Sequence, residues 1–243
     1  MQNRYAGDVG DFGKLGLLRY IANSGLRIGV NWCLTPDETN NKDGKHVGYL
    51  TNPAFCGCDD YLLHKLSDIA GHFPRNVDRL ESQNLIPNAL YYQASLLPPA
   101  TPGFIRHQWH EDALKALANT DIVFLDPDNG LLVKSVSPRS AKSNKYITVE
   151  ELQSYYIAGK SVVFYNHRCR QPEPVYLQRF YALTTLPVFH SANWMGLKFP
   201  RGTTRDYIML IQPDHAKKVK CSIEQLLASP WNRHFSVLPF PPE

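Results

Sequence analysis

The chain has 243 residues, of which 43% are hydrophobic, and this is enough to bury a sizeable core. We expect one α/β domain over residues 1–243, with residues 233–243 as an extended, proline-rich C-terminal tail. The net charge of +4 suits phosphate-bearing partners but falls short of the strong positive charge that would demand nucleic acid. The sequence contains no run of about 18 apolar residues, so we expect no membrane span. The polar start MQNRYAGD lacks a signal-peptide pattern.

The cysteines indicate the redox environment. Five of them, at positions 33, 56, 58, 169 and 221, lie in a chain too long to need disulfide staples, so we expect reduced thiols and a cytoplasmic location. The Cys56-Gly57-Cys58 triplet lacks the second cysteine pair of a zinc knuckle. We therefore expect no metal there.

In the first half of the chain, apolar spacing and turn residues predict five elements. In chain order they are a helix over 14–23, a buried strand within 26–34, a short strand at 47–50, a helix over 58–73 capped by Asp59 or Asp60, and a strand within 88–96.

In the second half, helices and buried strands alternate. The predicted elements are a helix over 110–119, a strand over 121–126, a helix opened by a capping box at Thr148–Glu151 and closed by Gly159, strands over 160–167 and 206–212, and a helix opened by a second capping box at Ser222–Gln225. This alternation predicts an α/β fold with a mainly parallel sheet and helices on both faces.

A polar cluster follows the predicted strand over 121–126. Asp126, Pro127, Asp128 and Asn129 emerge where ligands bind in open parallel sheets, beyond the carboxyl ends of the strands. Two carboxylates at this spacing bind a cation, accept hydrogen bonds from an amine, or divide acid and base roles. The alternative is a simple turn, since Pro-Asp-Asn-Gly is favourable turn chemistry, but a turn leaves Asp126 unexplained.

The next predicted strand also ends in polar residues, in the stretch YNHRCRQ. If the two strands are neighbours, His167 and Arg168 stand beside Asp126 and Asp128, as a base or ligand and as an anion clamp. The alternative is a hydrogen-bonded structural histidine with solvated arginines.

The opening stretch YAGDVGDFGKLGLLRYI has glycines at positions 7, 10, 13 and 16, which leave backbone amides open to a ligand. Charged and aromatic side chains accompany them at Tyr5, Asp8, Asp11 and Lys14. We interpret the stretch as a ligand-binding wall that leads into a helix from about Lys14. A flexible N-terminus, or a helix that packs tightly through its three-residue glycine spacing, is the structural alternative.

The stretch KFPRGTTRDY places Lys198, Arg201 and Arg205 around Gly202. Together with Trp109 and Trp194, this stretch is interpreted as part of a nucleic-acid or phosphate surface. The alternative interpretation is a solvated basic loop.

Two of these stretches resemble a known family. The opening stretch resembles the N-terminal signature of the large-subunit ribosomal RNA adenine methyltransferases of the YhiR/RlmJ type, in which Ala-Gly, a small residue, Asp and Lys recur at the same offsets. Those places are held here by Ala6, Gly7, Gly10, Asp11 and Lys14. The stretch FLDPDNG is similar to the family's Asp-Pro-Pro-aromatic motif at the end of its fourth sheet strand, matched at Asp126 and Pro127.

The resemblance implies a Rossmann-like methyltransferase sheet, nucleic acid as substrate and S-adenosylmethionine as cofactor, held partly by the opening stretch with Tyr5, Gly7, Asp8, Asp11 and Lys14. It also implies that Asp126 and the Pro127 carbonyl orient the exocyclic amine of a target adenine toward the methyl group. Asp128 and Asn129 stand where the family has a second proline and the aromatic that stacks on the base, so the implied site is diverged.

Two other classes of protein remain as alternatives. A magnesium-dependent nuclease or phosphate-bond hydrolase would use Asp126 and Asp128 as metal ligands. A catalytically inert module would bind nucleic acid or a partner protein through the basic loop.

Overall fold

The structure is a computed structural model that describes residues 1–38, 46–96 and 102–240. The last three residues of the predicted tail lie outside the described ranges. The helices are α1 (Val9–Ala22), α2 (Asp60–Gly71), α3 (Val77–Ser82), α4 (Pro102–Ala116), α5 (Val149–Ile157), α6 (Glu173–Thr184) and α7 (Pro213–Ala228). The strands are β1 (Ile28–Asn31), β2 (Leu90–Tyr92), β3 (Ile122–Leu125), β4 (Gly130–Leu131), β5 (Tyr146–Ile147), β6 (Ser161–His167), β7 (Asn193–Arg201), β8 (Thr203–Ile211) and β9 (Ser236–Val237).

Seven strands form a central sheet in the order β2-β1-β3-β6-β8-β7-β9. The first four run parallel, whereas β8 is antiparallel to β6 and β7, and β9 is antiparallel to β7. The predicted α/β class is therefore confirmed, and the sheet is mixed. Strands β4 and β5 form a separate parallel pair.

Helices cover both faces of the sheet, because successive side chains of its buried strands alternate between two hydrophobic clusters. On β3, Ile122 and Phe124 join the cluster that contains α1, α2 and α7. Val123 and Leu125 join the other cluster, which packs beneath α5 and α6.

Helix α1 begins five residues earlier than the opening stretch predicts. The Asp8 side chain caps it by accepting hydrogen bonds from the backbone amides of Gly10 and Asp11. A Cβ atom at Gly13 would lie 2.8 Å from the Phe199 ring, and one at Gly16 would lie 2.3 Å from the Trp231 ring. These two glycines therefore let α1 pack closely against aromatic side chains, which corrects their interpretation as part of a ligand wall.

Three further predictions need correction. Residues 48–51 form a 3-10 helix rather than a strand. Ser222 lies inside α7, where its hydroxyl donates to the Lys218 carbonyl, so it caps nothing. The basic stretch 198–205 belongs to the β7–β8 hairpin, which turns at Gly202.

The C-terminal tail contains a short extended strand and packs against the rest of the chain. Strand β9 pairs with β7, and the side chains of Leu238 and Phe240 are buried. Leu238 and Phe240 flank Pro239, and the burial of their apolar side chains holds this part of the tail in place.

The first capping box forms as predicted and provides a stability test. The Thr148 hydroxyl accepts from the Glu151 amide, and the Glu151 carboxylate accepts from the Thr148 amide, at 3.3 and 2.9 Å. We expect Thr148→Ala to lower the free energy of unfolding by about 1 kcal/mol in urea denaturation, because it removes this cap. The matched control is Ser222→Ala, which we expect to change stability by less than about 0.5 kcal/mol; equal losses in both variants would contradict the assignment.

Candidate functional site

A cavity of about 390 Å³ opens at the carboxyl ends of the parallel strands. The chain passes from β1 outward to β2 and then returns to β3 on the opposite side of β1. The crevice between β1 and β3 is therefore a topological switch point, where ligands bind in open α/β sheets. The cavity is lined by Met1, Tyr5, Asp8, Gly10, Lys14, Glu38, His46, Asp126, Pro127, Asp128, Asn129, Lys145, Tyr165, His167, Thr203 and Arg205.

The capping residue of α1 also belongs to the cavity wall. Asp8 Oδ1 accepts from the Gly10 amide at 2.7 Å, and Asp8 Oδ2 lies 3.4 Å from Arg205 Nη2 on β8. A Cβ atom at Gly10 would lie 2.7 Å from Arg205 Nε. The absence of a side chain at Gly10 thus makes room for the guanidinium that reaches Asp8.

A buried ion cluster joins α1 to the end of β3. Lys14 Nζ lies 2.8 Å from Asp11 Oδ1 and also contacts the Asp126 carboxylate. Burial raises the pKa of Asp11 to about 6, although Lys14 opposes this effect. Burial alone would lower the pKa of Lys14, but the two carboxylates outweigh it and hold that pKa above its ordinary value. The cluster therefore keeps a cation in place beside Asp126.

Asp128 is neutralised separately. Its carboxylate lies 2.9 Å from the Met1 amino nitrogen and accepts a 2.7 Å hydrogen bond from the Gln2 side-chain nitrogen Nε2. Burial would raise the pKa of Asp128, but these contacts and Lys145 outweigh burial and lower it. The same Met1 nitrogen donates to the backbone carbonyl of Asp126 at 2.7 Å.

The ends of β3 and β6 meet as the strand order predicts. The His167 amide donates to the Asn129 carbonyl at 3.2 Å, and His167 Nδ1 lies 3.0 Å from the Tyr165 hydroxyl. His167 therefore lines the cavity beside Asn129. It lies on the β6 side of β3, whereas the switch-point crevice lies on the β1 side of β3.

Three of the sequence-predicted site residues do not line the cavity. The Gly7 amide donates to Asp11 Oδ2 at 2.7 Å, so Gly7 and Asp11 contact each other next to the residues that line the cavity. Arg168 makes two hydrogen bonds to the buried Asp206 carboxylate, at 2.9 and 3.0 Å, and also contacts Glu173. Arg168 is engaged in this network and does not belong to the cavity lining, and its role as an anion clamp stays a prediction.

Sequence reasoning missed several lining residues. Lys145 pairs with Glu38 and lies 4.0 Å from Asp128 Oδ2, and His46 also lines the cavity. No motif marks these residues, because their neighbours come from distant parts of the chain. The sequence indicates Arg205 only as one cation of the basic stretch and not as a residue of the cavity.

The chemical groups that line the cavity suit some ligands better than others. Carboxylates, an ammonium, a guanidinium and two tyrosine rings share one lining, a combination that fits a zwitterionic molecule with an aromatic ring. A divalent cation fits less well, because Asp126 and Asp128 each already face a cation of the chain. Across the described ranges, no three His, Cys, Asp or Glu side chains are grouped so as to hold a metal ion.

No protein-family model matches this sequence, and the search of curated proteins returns no match. Within the described part of the chain, none of the helices is long and apolar enough to cross a membrane.

Proposed function

We propose that the chain is an S-adenosylmethionine-dependent, methyltransferase-like enzyme that acts on nucleic acid. One observation carries the proposal: the two stretches that resemble the methyltransferase family meet at one cavity. Lys14 and Asp126, which are 112 positions apart in sequence, contact each other directly through their side chains. A cavity of about 390 Å³ at the switch point of the sheet further supports a ligand of cofactor size.

The charges of the cavity fit this cofactor, which supplies a methyl group on a positively charged sulfur when bound. In the lining, Asp8 pairs with Arg205 and Glu38 pairs with Lys145. On binding, the positive groups of the cofactor would share the carboxylates of these pairs, and its carboxylate would share Lys145 or Arg205. Tyr5 offers a ring against the adenine. This set holds a zwitterion without requiring a metal ion.

Asp126 has a positioning role in the proposed reaction. Lys14 engages Oδ2 of Asp126, and we assign Oδ1 together with the Pro127 carbonyl to the amine that receives the methyl group. Holding that amine in line with the methyl donor contributes through proximity rather than through acid–base chemistry. Asp128 and Asn129 offer no ring for a flipped base, so stacking has to come from elsewhere in the lining.

Cofactor binding tests the proposal first. We expect S-adenosylmethionine at 100 times its Kd to raise the Tm by about 5–10 °C, because the ligand stabilises only the folded state that binds it. Thermal unfolding followed by tryptophan fluorescence is the measurement. A shift with magnesium alone would instead support the hydrolase, and no shift with either ligand would support the inert module.

Methyl transfer tests the role of Asp126. We expect Asp126→Asn to slow transfer of a labelled methyl group to nucleic acid by about 100-fold, because the acceptor amine loses its alignment. The matched control is Asp121→Asn at the other end of the same strand, where the carboxylate accepts from the Arg27 amide at 2.7 Å. Unchanged transfer by Asp126→Asn, or equal loss in both variants, would refute the role of Asp126.

A further inference from the structure

The segment 132–147 is strongly basic and lies beside the cavity. It contains Lys134, Arg139, Lys142 and Lys145 and no acidic residue. The first three side chains are exposed. The segment leaves β4 directly after the Asp126–Asn129 cluster and returns through Lys145, which lines the cavity.

The end of this segment that returns to the cavity is held by hydrogen bonds. The Lys145 carbonyl accepts from the Asn129 amide at 2.9 Å. The Arg106 guanidinium donates to the carbonyls of Ser143 and Tyr146 at 3.1 and 2.7 Å. The exposed cations are therefore presented from a defined surface next to the cavity.

Two other acid-free basic segments lie at the same edge of the sheet. Residues 167–171 follow the end of β6, and residues 198–205 form the β7–β8 hairpin. Because β8 is antiparallel to β6, the start of β8 lies at the carboxyl end of β6, where the Arg168 amide donates to the Thr204 carbonyl at 3.2 Å. We call these three segments, 132–147, 167–171 and 198–205, the basic rim.

Several cations of the basic rim face carboxylates. In the segment 132–147, Lys145 pairs with Glu38 of the loop after β1. In the other two segments, Arg168 pairs with Asp206 and Glu173. Lys198 pairs with Glu173, and Arg205 pairs with Asp8. The segment 132–147 therefore contributes the largest share of the positive charge, and a polyanion is drawn to one side of the cavity mouth.

We propose that the basic rim is the surface on which the phosphate backbone of a nucleic acid lies while one of its bases enters the cavity. This inference rests on the proposed function, whose substrate it places on the protein. Exposed cations such as Lys134, Arg139 and Lys142 bind successive phosphates and release counterions, so the affinity must fall with salt. Contacts to the phosphate backbone set position, whereas the cavity selects the base.

The test compares two variants of equal charge. The rim variant is Lys134→Gln/Arg139→Gln/Lys142→Gln, and the control is Lys217→Gln/Lys218→Gln/Lys220→Gln, whose exposed side chains lie on α7. Fluorescence anisotropy with a labelled RNA hairpin and the matching DNA hairpin gives the affinity at several salt concentrations. We expect the rim variant to lose roughly tenfold or more in affinity at low salt and its salt slope to fall by about two to three.

We expect the α7 control to keep the affinity and slope of the wild type. Equal loss in both variants, loss in the control alone, or no binding of either hairpin by the wild type would overturn the inference. Competition by polyglutamate as effective as that by unlabelled RNA would overturn it too, since the rim would then fit an acidic protein. Titration of all three proteins with S-adenosylmethionine separates the two proposals, because failure to bind it counts against the proposed function alone.

Discussion

Replacing Lys14 with methionine is expected to lower the free energy of unfolding by about 3–5 kcal/mol in urea denaturation at neutral pH. The ammonium of Lys14 is buried between the carboxylates of Asp11 and Asp126. Removing one member of a buried ion pair leaves uncompensated charge in a poorly solvated place, and this is far more costly than losing a surface pair.

The pH dependence of the Lys14→Met variant identifies the cause. Burial already raises the pKa of Asp11 to about 6 in the wild type, and losing Lys14 raises it further. A carboxyl group whose pKa is raised by folding favours the folded state at low pH and loses this contribution as the pH rises through the folded-state pKa. The deficit should therefore shrink from about pH 7 to about pH 5.

Two further variants control for the Lys14 effect. Adding Asp11→Asn to Lys14→Met removes one of the two stranded carboxylates, so we expect the double variant to recover part of the loss. Lys220→Met on the exposed face of α7 should change stability by less than about 0.5 kcal/mol. A Lys14→Met variant as stable as Lys220→Met would show that no buried charge depends on Lys14.

Replacing Gly130 with alanine is expected to cost about 3–5 kcal/mol as well, through a different mechanism. Gly130 has a φ of +102°, and a Cβ atom there would lie 2.0 Å from Asn166 Oδ1 and 2.7 Å from its Cα. Asn166 Oδ1 accepts from the Leu131 amide, and Asn166 Nδ2 donates to the Tyr176 hydroxyl. The new methyl group would thus add backbone strain at residue 130. It would also displace the buried side-chain amide of Asn166 from these hydrogen bonds.

The control for Gly130→Ala is Gly25→Ala. Gly25 also has a positive φ, +81°, but no atom lies within 4 Å of a Cβ atom built there. We expect Gly25→Ala to cost about 1–2 kcal/mol from the left-handed backbone alone. Chemical denaturation of both variants therefore measures the contribution of the Asn166 contact as a difference, and equal losses would argue that the contact relaxes without cost.

These two variants concern how the cavity is supported. The Asp11–Lys14–Asp126 cluster ties α1 to the end of β3. Gly130, directly after the polar cluster, allows the backbone to pass close to Asn166 of β6. Both supports lie behind or beside lining residues, so their loss should weaken the folded state before it changes the chemistry of the lining.

The sequence predicted elements whose signals lie within a few residues. Helix α2 follows its apolar spacing and begins after Asp59, whose side chain accepts from the Leu62 amide. The capping box at Thr148 and strand β6 also form where predicted. Such elements are determined locally, because the cap, the apolar stripe and the stop signal act over one or two turns.

Local signals failed where packing at a distance decides the outcome. The three-residue spacing of glycines in α1 lowers helix propensity, yet α1 includes them because Phe199 and Trp231 occupy the space they leave. Ser222 and Gln225 have the spacing of a capping box, but α7 starts at Pro213 and runs through them. In both cases tertiary burial overrides the local preference.

By itself, the sequence determined the α/β class and the polar residues that follow β3 and β6. The tertiary structure alone decided which of these residues share a cavity. It brought Arg205 to Asp8 and Lys145 to Glu38, and it withdrew Arg168 into a pair with Asp206. The physical reason is that strand order and register fix which distant charges become neighbours, and a buried charge is stable only beside the partner that this register supplies.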